Sequence, residues 1–326
     1  MINLIPVHWI AQELAGLPVK THTNPNGTWS EQQTYTDFST VSEYIYLNFT
    51  PENDWRLRES SQLVCETFVE FVKEHIDHIA SIFPLSSDSF NHTALADWKS
   101  HDFLKKSWDA LGKKFSKREV AGHVFAALVP TAALWSATVS KIVDFFLEDG
   151  QAESRATLLA LLNPAEKEKE KAEEREAKIQ AFIREAIRLN PPIPGYIRTA
   201  PREVVLGPET VQPFETVYVS LTSANLDPAV FGSDPAIAQF SRPADKQGII
   251  GLGDNNLVSE KFLFATVPAV LKGVFELKDL KRGPAASGRI TSFVESYLGS
   301  PREWYFNERG IGQFPDGLVV QYSDSK

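Results

Sequence analysis

Apolar residues recur three and four positions apart through most of the first 189 residues, which is the spacing of one face of an α-helix. This pattern predicts helices over residues 1–20, 34–49, 60–83, 94–111 and 116–147. Residues Pro51 to Asp54 are predicted to form a non-helical segment between two of these helices. Ser116 and Glu119 match the capping box that begins a helix, so the longest of the five is predicted to begin there.

A second group of elements is predicted after residue 160. Asn163 and Pro164 match the cap and first turn of a helix, which is predicted to run to Leu189. Proline, glycine and β-branched residues then become frequent. The remaining predicted elements are two or three short strands within 202–224, a helix over 257–277 and a last strand over 317–324.

The order of these elements, helices first and short strands around one more helix afterwards, indicates a mostly α fold with minor β. We predict a single domain over residues 1–326. Within it, residues 1–189 are predicted to be mainly helical, and residues 190–326 to hold the strands and the last helix.

One stretch of the long helix has the length of a membrane span. Residues 121–140 carry no charged side chain, and about 20 apolar residues can cross a bilayer. The stretch nevertheless contains a histidine, a proline and several hydroxyl residues, and Lys141 and Asp144 follow it at helical spacing. We therefore interpret it as a buried core helix and predict no transmembrane segment.

Composition excludes several classes of function. With 43% hydrophobic and 23% charged residues the chain can bury a core, and its net charge of −9 without a basic stripe argues against nucleic-acid binding. The single cysteine, Cys65, excludes an intramolecular disulfide and a cysteine-based zinc site. His75 and His78 share a helix, but no third ligand can be assigned, so no metal is expected. The start of the chain lacks the pattern of a signal peptide, which predicts a cytoplasmic protein.

Four features follow one another in an order that carries a family resemblance. Near the end of a predicted helix lies Glu185-Ala-Ile-Arg188, and LDPAVFGSDPAIAQFSRP follows it, with Arg242 near its end. Gly251-Leu-Gly253 then precedes a helix, and the long uncharged helix lies upstream of all three. Together these features resemble the cytochrome P-450 superfamily, the haem-thiolate monooxygenases.

Within that superfamily, the C-terminal domain of fungal linoleate diol synthases and psi-factor-producing oxygenases is similar over essentially the whole chain. The similar segments are PVHWIAQELAGLPVKT, NPNGTWSEQQ, VPTAAL, VLKGVFELKDLKRGP and FPDGLVVQYSD. The resemblance implies a truncated cytochrome P-450-like fold, without the first helices and strands of the family. It also implies that Glu185, Arg188 and Arg242 form a structural lock, and that the long helix is the family's central helix over the haem.

The sequence departs from the family at the positions that hold the haem. In the register of the glycine loop, the position of the haem-ligating cysteine is occupied by Leu257, whose side chain has no lone pair to give to iron. The position of the cation that holds a haem propionate is occupied by Asn255. In the central helix, Leu134 and Trp135 stand where the relatives carry Asn and Gln. We therefore expect no haem, no other cofactor and no metal.

The retained fold and the lost thiolate lead to three hypotheses. The first is a haem-independent enzyme of fungal secondary metabolism. It would catalyse non-redox cyclisation, Diels-Alder-type cycloaddition or isomerisation of an apolar terpenoid or polyketide in the former haem and substrate cavity. The second is a haem-binding oxylipin enzyme, a fatty-acid hydroperoxide isomerase or monooxygenase with a non-cysteine ligand. The third is a non-catalytic binding protein. A small apolar substrate is the partner expected, and the oligomeric state is left open.

The resemblance also selects candidate site residues. The middle of the family's central helix faces the substrate, and the segment after the Glu-x-x-Arg helix lines the pocket. The candidate catalytic residues are therefore Thr131, Trp135, Tyr196, Arg198 and His123. The candidate pocket residues are Leu134, Tyr44, Tyr46 and Leu257. The alternative interpretations are helix packing for Thr131 and Trp135, an ordinary strand residue for Tyr196, and a core histidine for His123.

Overall fold

The computed structural model describes residues 4–48, 51–81, 98–164, 172–243, 259–297, 300–307, 310–315 and 317–323. Its first helix is the π-helix Val7–Leu14. The α-helices are α1 Glu31–Tyr46, α2 Pro51–Ser81, α3 Trp98–Leu111, α4 Lys117–Phe146, α5 Ala152–Leu162, α6 Ala172–Leu189, α7 Leu221–Asn225, α8 Pro228–Phe231 and α9 Glu260–Phe275.

The strands are short and follow mainly after α6. They are β1 Val19–Lys20, β2 Trp29–Ser30, β3 Gly195–Thr199, β4 Val204–Leu206, β5 Glu209–Val211, β6 Thr216–Ser220, β7 Lys281–Arg282, β8 Ser292–Tyr297, β9 Ser300–Asn307, β10 Gly310–Gly312 and β11 Val320–Gln321. A mostly α fold with minor β is therefore confirmed.

The residues form two compact units, Met1–Ser136 and Ala137–Lys326, which divide within α4. The single domain expected from the sequence stays a prediction.

In the first unit, an aromatic chain of contacts joins three helices. The ring of Phe68 on α2 meets Phe38 on α1 edge-on at 6.3 Å and Phe125 on α4 edge-on at 5.2 Å. The predicted capping box is present at the start of α4. There the Ser116 hydroxyl donates to the Glu119 carboxylate at 2.7 Å, and the Glu119 N–H donates back to the Ser116 hydroxyl at 3.3 Å.

Helix α2 corrects one prediction. It begins at Pro51, so residues 51–54 form its first turn and are not a non-helical segment. The physical reason is that proline lacks an N–H and has a fixed φ, which suits the first position of a helix.

Helix α4 is long and apolar enough to cross a membrane by length and composition. However, 72% of its most apolar window is buried inside the protein. That degree of burial is typical of a core helix of a soluble protein, which is the interpretation that the sequence favoured.

The core of the second unit is aromatic. Phe182 on α6 stacks on Phe240 at 4.1 Å with the rings almost parallel, and Phe146 at the end of α4 contacts both rings. Phe275 at the end of α9 meets Phe146 edge-on at 6.0 Å. These contacts hold α4, α6 and α9 around one hydrophobic centre.

The described residues of the second unit also form four small sheets. Antiparallel pairs form between β3 and β6, β4 and β5, and β7 and β11, and a three-stranded sheet has the order β10-β9-β8. The strands predicted within 202–224 and the helix predicted over 257–277 are confirmed. The sequence analysis missed α5, β8 and β9. It also misassigned Asn163, which ends α5, because asparagine followed by proline occurs after helices as well as before them.

Candidate functional site

Glu185 and Arg188 form a fully buried ion pair on α6. The Arg188 guanidinium donates from Nε and Nη2 to the two carboxylate oxygens at 2.8 and 2.7 Å. Its remaining N–H groups donate to the backbone carbonyls of Asn225, Pro235 and Ile237. All five donors of this guanidinium therefore have acceptors, which is the condition under which a charged group is tolerated in a protein interior.

Arg242 completes the lock that the sequence predicted. Its Nε donates to the Glu185 carboxylate at 3.3 Å, and its Nη1 donates to the Phe231 carbonyl at 3.0 Å. The backbone N–H of Gln239 donates to the same carboxylate at 2.8 Å. Burial alone raises the pKa of Glu185, but hydrogen bonds from Arg188, Gln239 and Arg242 outweigh it, so that the pKa lies below its ordinary value.

The lock fixes the segment that ends at residue 243, just before the positions where the sequence predicts that the haem ligands are replaced. Leu257, Asn255 and the loop Gly251-Leu-Gly253 lie outside the described residues. By sequence, no cysteine, histidine or methionine follows Ser136, and these residues with tyrosine are the usual axial ligands of haem iron.

The one cysteine and the buried tyrosines are also poor replacements for the axial thiolate of haem iron. Cys65 lies on α2 of the first unit, and burial raises the pKa of its thiol, which favours the neutral form over a thiolate. In the second unit, burial raises the pKa of Tyr196 and, together with the charge of Glu303, the pKa of Tyr305. Neither phenol offers the thiolate that P-450 chemistry requires.

Tyr196 is the candidate with the most informative surroundings. It lies on β3, two residues after the proline-rich turn that leaves α6, and 3% of its surface is exposed. Its hydroxyl has no hydrogen-bond partner among the residues that the structure describes. The guanidinium of Arg198 lies over the ring at 4.4 Å from its centroid. A buried phenol without a partner costs stability, and a ligand or a water molecule that accepted its hydrogen bond would remove that cost.

Arg198 itself is exposed. Its Nη1 donates to the neighbouring Ile197 carbonyl at 3.0 Å, and its guanidinium covers Tyr196. A role in binding a substrate carboxylate stays a prediction.

The candidates on α4 lie in the first unit. Leu134 and Trp135 are both buried, with 1% of each exposed. The Thr131 hydroxyl donates to the Ala127 carbonyl at 2.7 Å, so its one proton is already engaged within the helix. His123 is exposed and meets Phe115 edge-on at 4.7 Å, so its alternative interpretation as a core histidine is wrong.

The other candidates are less informative. Tyr44 and Tyr46 lie half-buried on α1. His75 is buried, and its Nδ1 lies 2.6 Å from the Phe71 carbonyl, one turn earlier. Within the described part of the chain, no group of three histidine, cysteine or acidic side chains could hold a metal ion.

A second buried ion pair was missed by the sequence analysis. The Lys141 ammonium, on a side chain of which 3% is exposed, donates to Glu303 at 2.9 Å and to the Pro191 carbonyl at 2.8 Å. It also lies over the ring of Tyr305 at 5.2 Å. The available signal was the charge itself, because a lysine that ends a long apolar run on a buried helix must find a partner.

Burial and charge shift the pKa values of this pair and of a neighbouring tyrosine. Burial lowers the pKa of Lys141. Burial alone raises the pKa of Glu303, but the charge of Lys141 and its hydrogen bond outweigh this and hold that pKa below its ordinary value. Burial and the charge of Glu303 raise the pKa of Tyr218 to about 12. Tyr218 is therefore a neutral phenol at neutral pH.

The fold defined by these elements is that of the cytochromes P-450. CYP109E1 from Bacillus megaterium, solved in complex with testosterone, matches with a TM-score of 0.63 at 14% identity, over 99% of this chain and 71% of that one. The CYP116B5 heme domain of Acinetobacter radioresistens matches with a TM-score of 0.61 at 12% identity, over 99% of this chain and 64% of that one. The expected P-450-like fold is confirmed.

The sequence is similar to fungal fatty-acid oxygenases. It is 27% identical to the linoleate 10R-lipoxygenase of Aspergillus fumigatus and 24% identical to the bifunctional dioxygenase-epoxy alcohol synthase of Pyricularia oryzae. These matches cover 98% and 99% of this chain, and 28% of the length of each relative. Psi-producing oxygenase A of Emericella nidulans is 21% identical over 98% of this chain. No protein-family model matches.

Proposed function

We propose that this chain is a haem-independent enzyme that isomerises or cyclises an apolar substrate without redox chemistry, with Tyr196 as the group that contacts the substrate. The observation that carries the proposal is the buried Tyr196 hydroxyl, which has no partner among the described residues. The relatives are oxygenases and synthases by name, which supports an enzyme, and the name of one contains linoleate. A fatty-acid-derived substrate is therefore favoured over a terpenoid or a polyketide.

Tyr196 has the properties of a hydrogen-bond donor to such a substrate. Like any tyrosine, it keeps its proton at neutral pH, and burial raises its pKa further, so its hydroxyl can donate a hydrogen bond to an oxygen that gains negative charge in the transition state. A hydrogen bond in an apolar site contributes more stabilisation than one in water, since no solvent competes for the acceptor. The proposal further requires a pocket beside this hydroxyl that holds a flexible chain close to its reacting conformation.

The absence of an electron-transfer step follows from the donor set. Oxygen activation by a P-450 needs a thiolate on iron, and the sequence after Ser136 holds no cysteine. Cyclisation and isomerisation need neither electrons nor molecular oxygen, so they are compatible with the residues that the fold retains.

A second candidate is a haem-dependent oxylipin enzyme, and the names of the relatives favour it. Epoxy alcohol synthase and psi-producing oxygenase are activities of longer proteins, of which this chain matches less than a third. This candidate requires an axial ligand other than cysteine. It predicts a coloured protein, whereas the first candidate predicts a colourless one.

Binding of cis-parinaric acid, a fluorescent polyunsaturated fatty acid, tests the first candidate. The proposal predicts saturable binding to the purified chain without haem, and about fivefold weaker binding by Tyr196→Phe, the loss expected for one hydrogen bond of about 1 kcal/mol. Tyr322→Phe is the matched control, because Tyr322 is 53% exposed in the same unit. An unchanged affinity in Tyr196→Phe would show that this residue does not contact the ligand. If the wild-type protein does not bind the probe, the proposed fatty-acid ligand is wrong.

A further inference from the structure

The Lys141–Glu303 pair joins three segments of the second unit. Lys141 belongs to α4, Glu303 to β9, and the second acceptor of the ammonium is the carbonyl of Pro191, at the exit of α6. In return, the Asn190 side chain donates to the Lys141 carbonyl at 3.2 Å. The turn that leaves α6 is therefore attached to α4 by two polar contacts, one in each direction.

That turn leads directly to Tyr196. Three of the four residues 191–194 are proline, so the backbone has few conformations with which to absorb a displacement. At its end, the Pro194 carbonyl accepts the backbone N–H of Leu221 at 2.9 Å and that of Thr222 at 3.1 Å. The position of the turn is thus transmitted to the start of β3.

The same cluster lies against the start of β3 from the opposite strand. Tyr218 on β6 pairs with Ile197 of β3, and its hydroxyl is 2.4 Å from where a Cβ of Gly195 would be. The charge of Glu303 acts on this hydroxyl. The residue before Tyr196 is therefore packed against a phenol that is influenced by burial and by the charge of Glu303.

We infer that Lys141 and Glu303 are positioning residues for Tyr196, holding the turn 191–194 so that the phenol stays buried and aimed at the substrate. The pair does not contact the substrate. Two acceptors, the Glu303 carboxylate and the Pro191 carbonyl, together with the ring of Tyr305 surround the ammonium, which suits a fixed support and not a reacting amine. This inference rests on the proposed function for its purpose, but its geometry can be tested without a substrate.

The experiment replaces both charges together, because Lys141→Met alone leaves a buried carboxylate without its partner and threatens folding. The variant is K141M/E303Q. The matched control is K178M/E174Q, which removes an exposed ion pair with the same 2.9 Å separation on α6. Urea unfolding of both variants confirms that they fold, and the reaction of Tyr196 with N-acetylimidazole, followed by mass spectrometry, reports its local exposure. The exposed Tyr322 is the internal reference.

Relative to Tyr322, we expect Tyr196 in K141M/E303Q to be acetylated about tenfold faster, as local opening of the turn exposes it. In K178M/E174Q the rate stays that of the wild type. An unchanged Tyr196 rate in a folded K141M/E303Q protein would overturn the positioning role, whether or not any ligand binds.

A double-mutant cycle then links the pair to the proposed function. If the pair acts through Tyr196, K141M/E303Q weakens the binding of cis-parinaric acid about fivefold, and does so no further in the Tyr196→Phe background. Additive losses in the two backgrounds would mean that the pair acts independently of Tyr196 and would overturn the inference. A wild-type protein that fails to bind the probe would defeat the proposed fatty-acid ligand, and the acetylation result would still decide the positioning role.

Discussion

The Arg188 guanidinium and the Glu185 carboxylate, one turn apart on α6, are joined by two parallel hydrogen bonds and are both shielded from water. Arg242 reaches the same carboxylate from the segment that follows α8. All three residues of the lock are therefore in place, although the sequence after Arg242 contains no cysteine that could bind haem iron. Its hydrogen bonds join only protein groups, so the lock can stabilise the fold independently of haem.

The first prediction concerns this lock. Glu185→Gln leaves two buried arginines without their carboxylate, and we expect it to lower the free energy of unfolding by about 3–5 kcal/mol. Urea unfolding measures the change. The control is Glu174→Gln, which breaks the exposed pair with Lys178 and is expected to cost less than about 0.5 kcal/mol. Equal small losses in the two variants would show that the lock is not structural.

The second prediction concerns pH. The pKa values of Glu185 and Glu303 are both lowered in the folded protein from an ordinary value of 4.5. A lowered pKa means that the unfolded state binds protons first, so the stability from these groups is full above pH 4.5 and is lost as the pH falls through the folded pKa values.

The free energy of unfolding, measured between pH 3 and pH 7, should therefore fall only below about pH 4.5. In Glu185→Gln the slope of that fall should be smaller, because one of the two carboxyl groups is gone. A slope equal to that of the wild type would place the responsible groups elsewhere.

The third prediction concerns the start of β3. In Gly195→Ala the new Cβ would lie 2.4 Å from both the Tyr218 hydroxyl and the Val219 carbonyl, so the strands must separate, at an expected cost of about 1–3 kcal/mol. Gly122→Ala on α4 is the matched control. Its Cβ meets nothing within 4 Å, and it should stabilise the helix by about 0.5–1 kcal/mol. Thermal unfolding of the pair should show shifts of opposite sign, and a tolerated Gly195→Ala would contradict this packing.

Parts of the fold and site that depend on local signals could be predicted from the sequence. Ser116 and Glu119 form the expected cap because the capping box spans only one turn. Glu185, Arg188 and Arg242 could be found because their spacing and the surrounding prolines carry the family resemblance. The burial of α4 could be inferred from the polar residues within its apolar run.

The rest depends on contacts between distant residues. Lys141 lies 162 positions from Glu303, and no local pattern pairs them. The strands β8 and β9 were missed because Pro301 and several charged residues interrupt their alternation, although the proline lies at the hairpin end of the pair. The isolation of the Tyr196 hydroxyl is likewise a property of the packed structure, which a sequence pattern cannot show.

The central claim is that this P-450-like chain works without a haem thiolate. The most direct test is a haem titration of the purified protein, expressed with a haem precursor and followed by its absorption spectrum. We predict no band in the Soret region at stoichiometric occupancy and no spectral shift when dithionite and carbon monoxide are added. A strong Soret band that saturates at one haem per chain would contradict the account and favour the haem-dependent oxylipin enzyme.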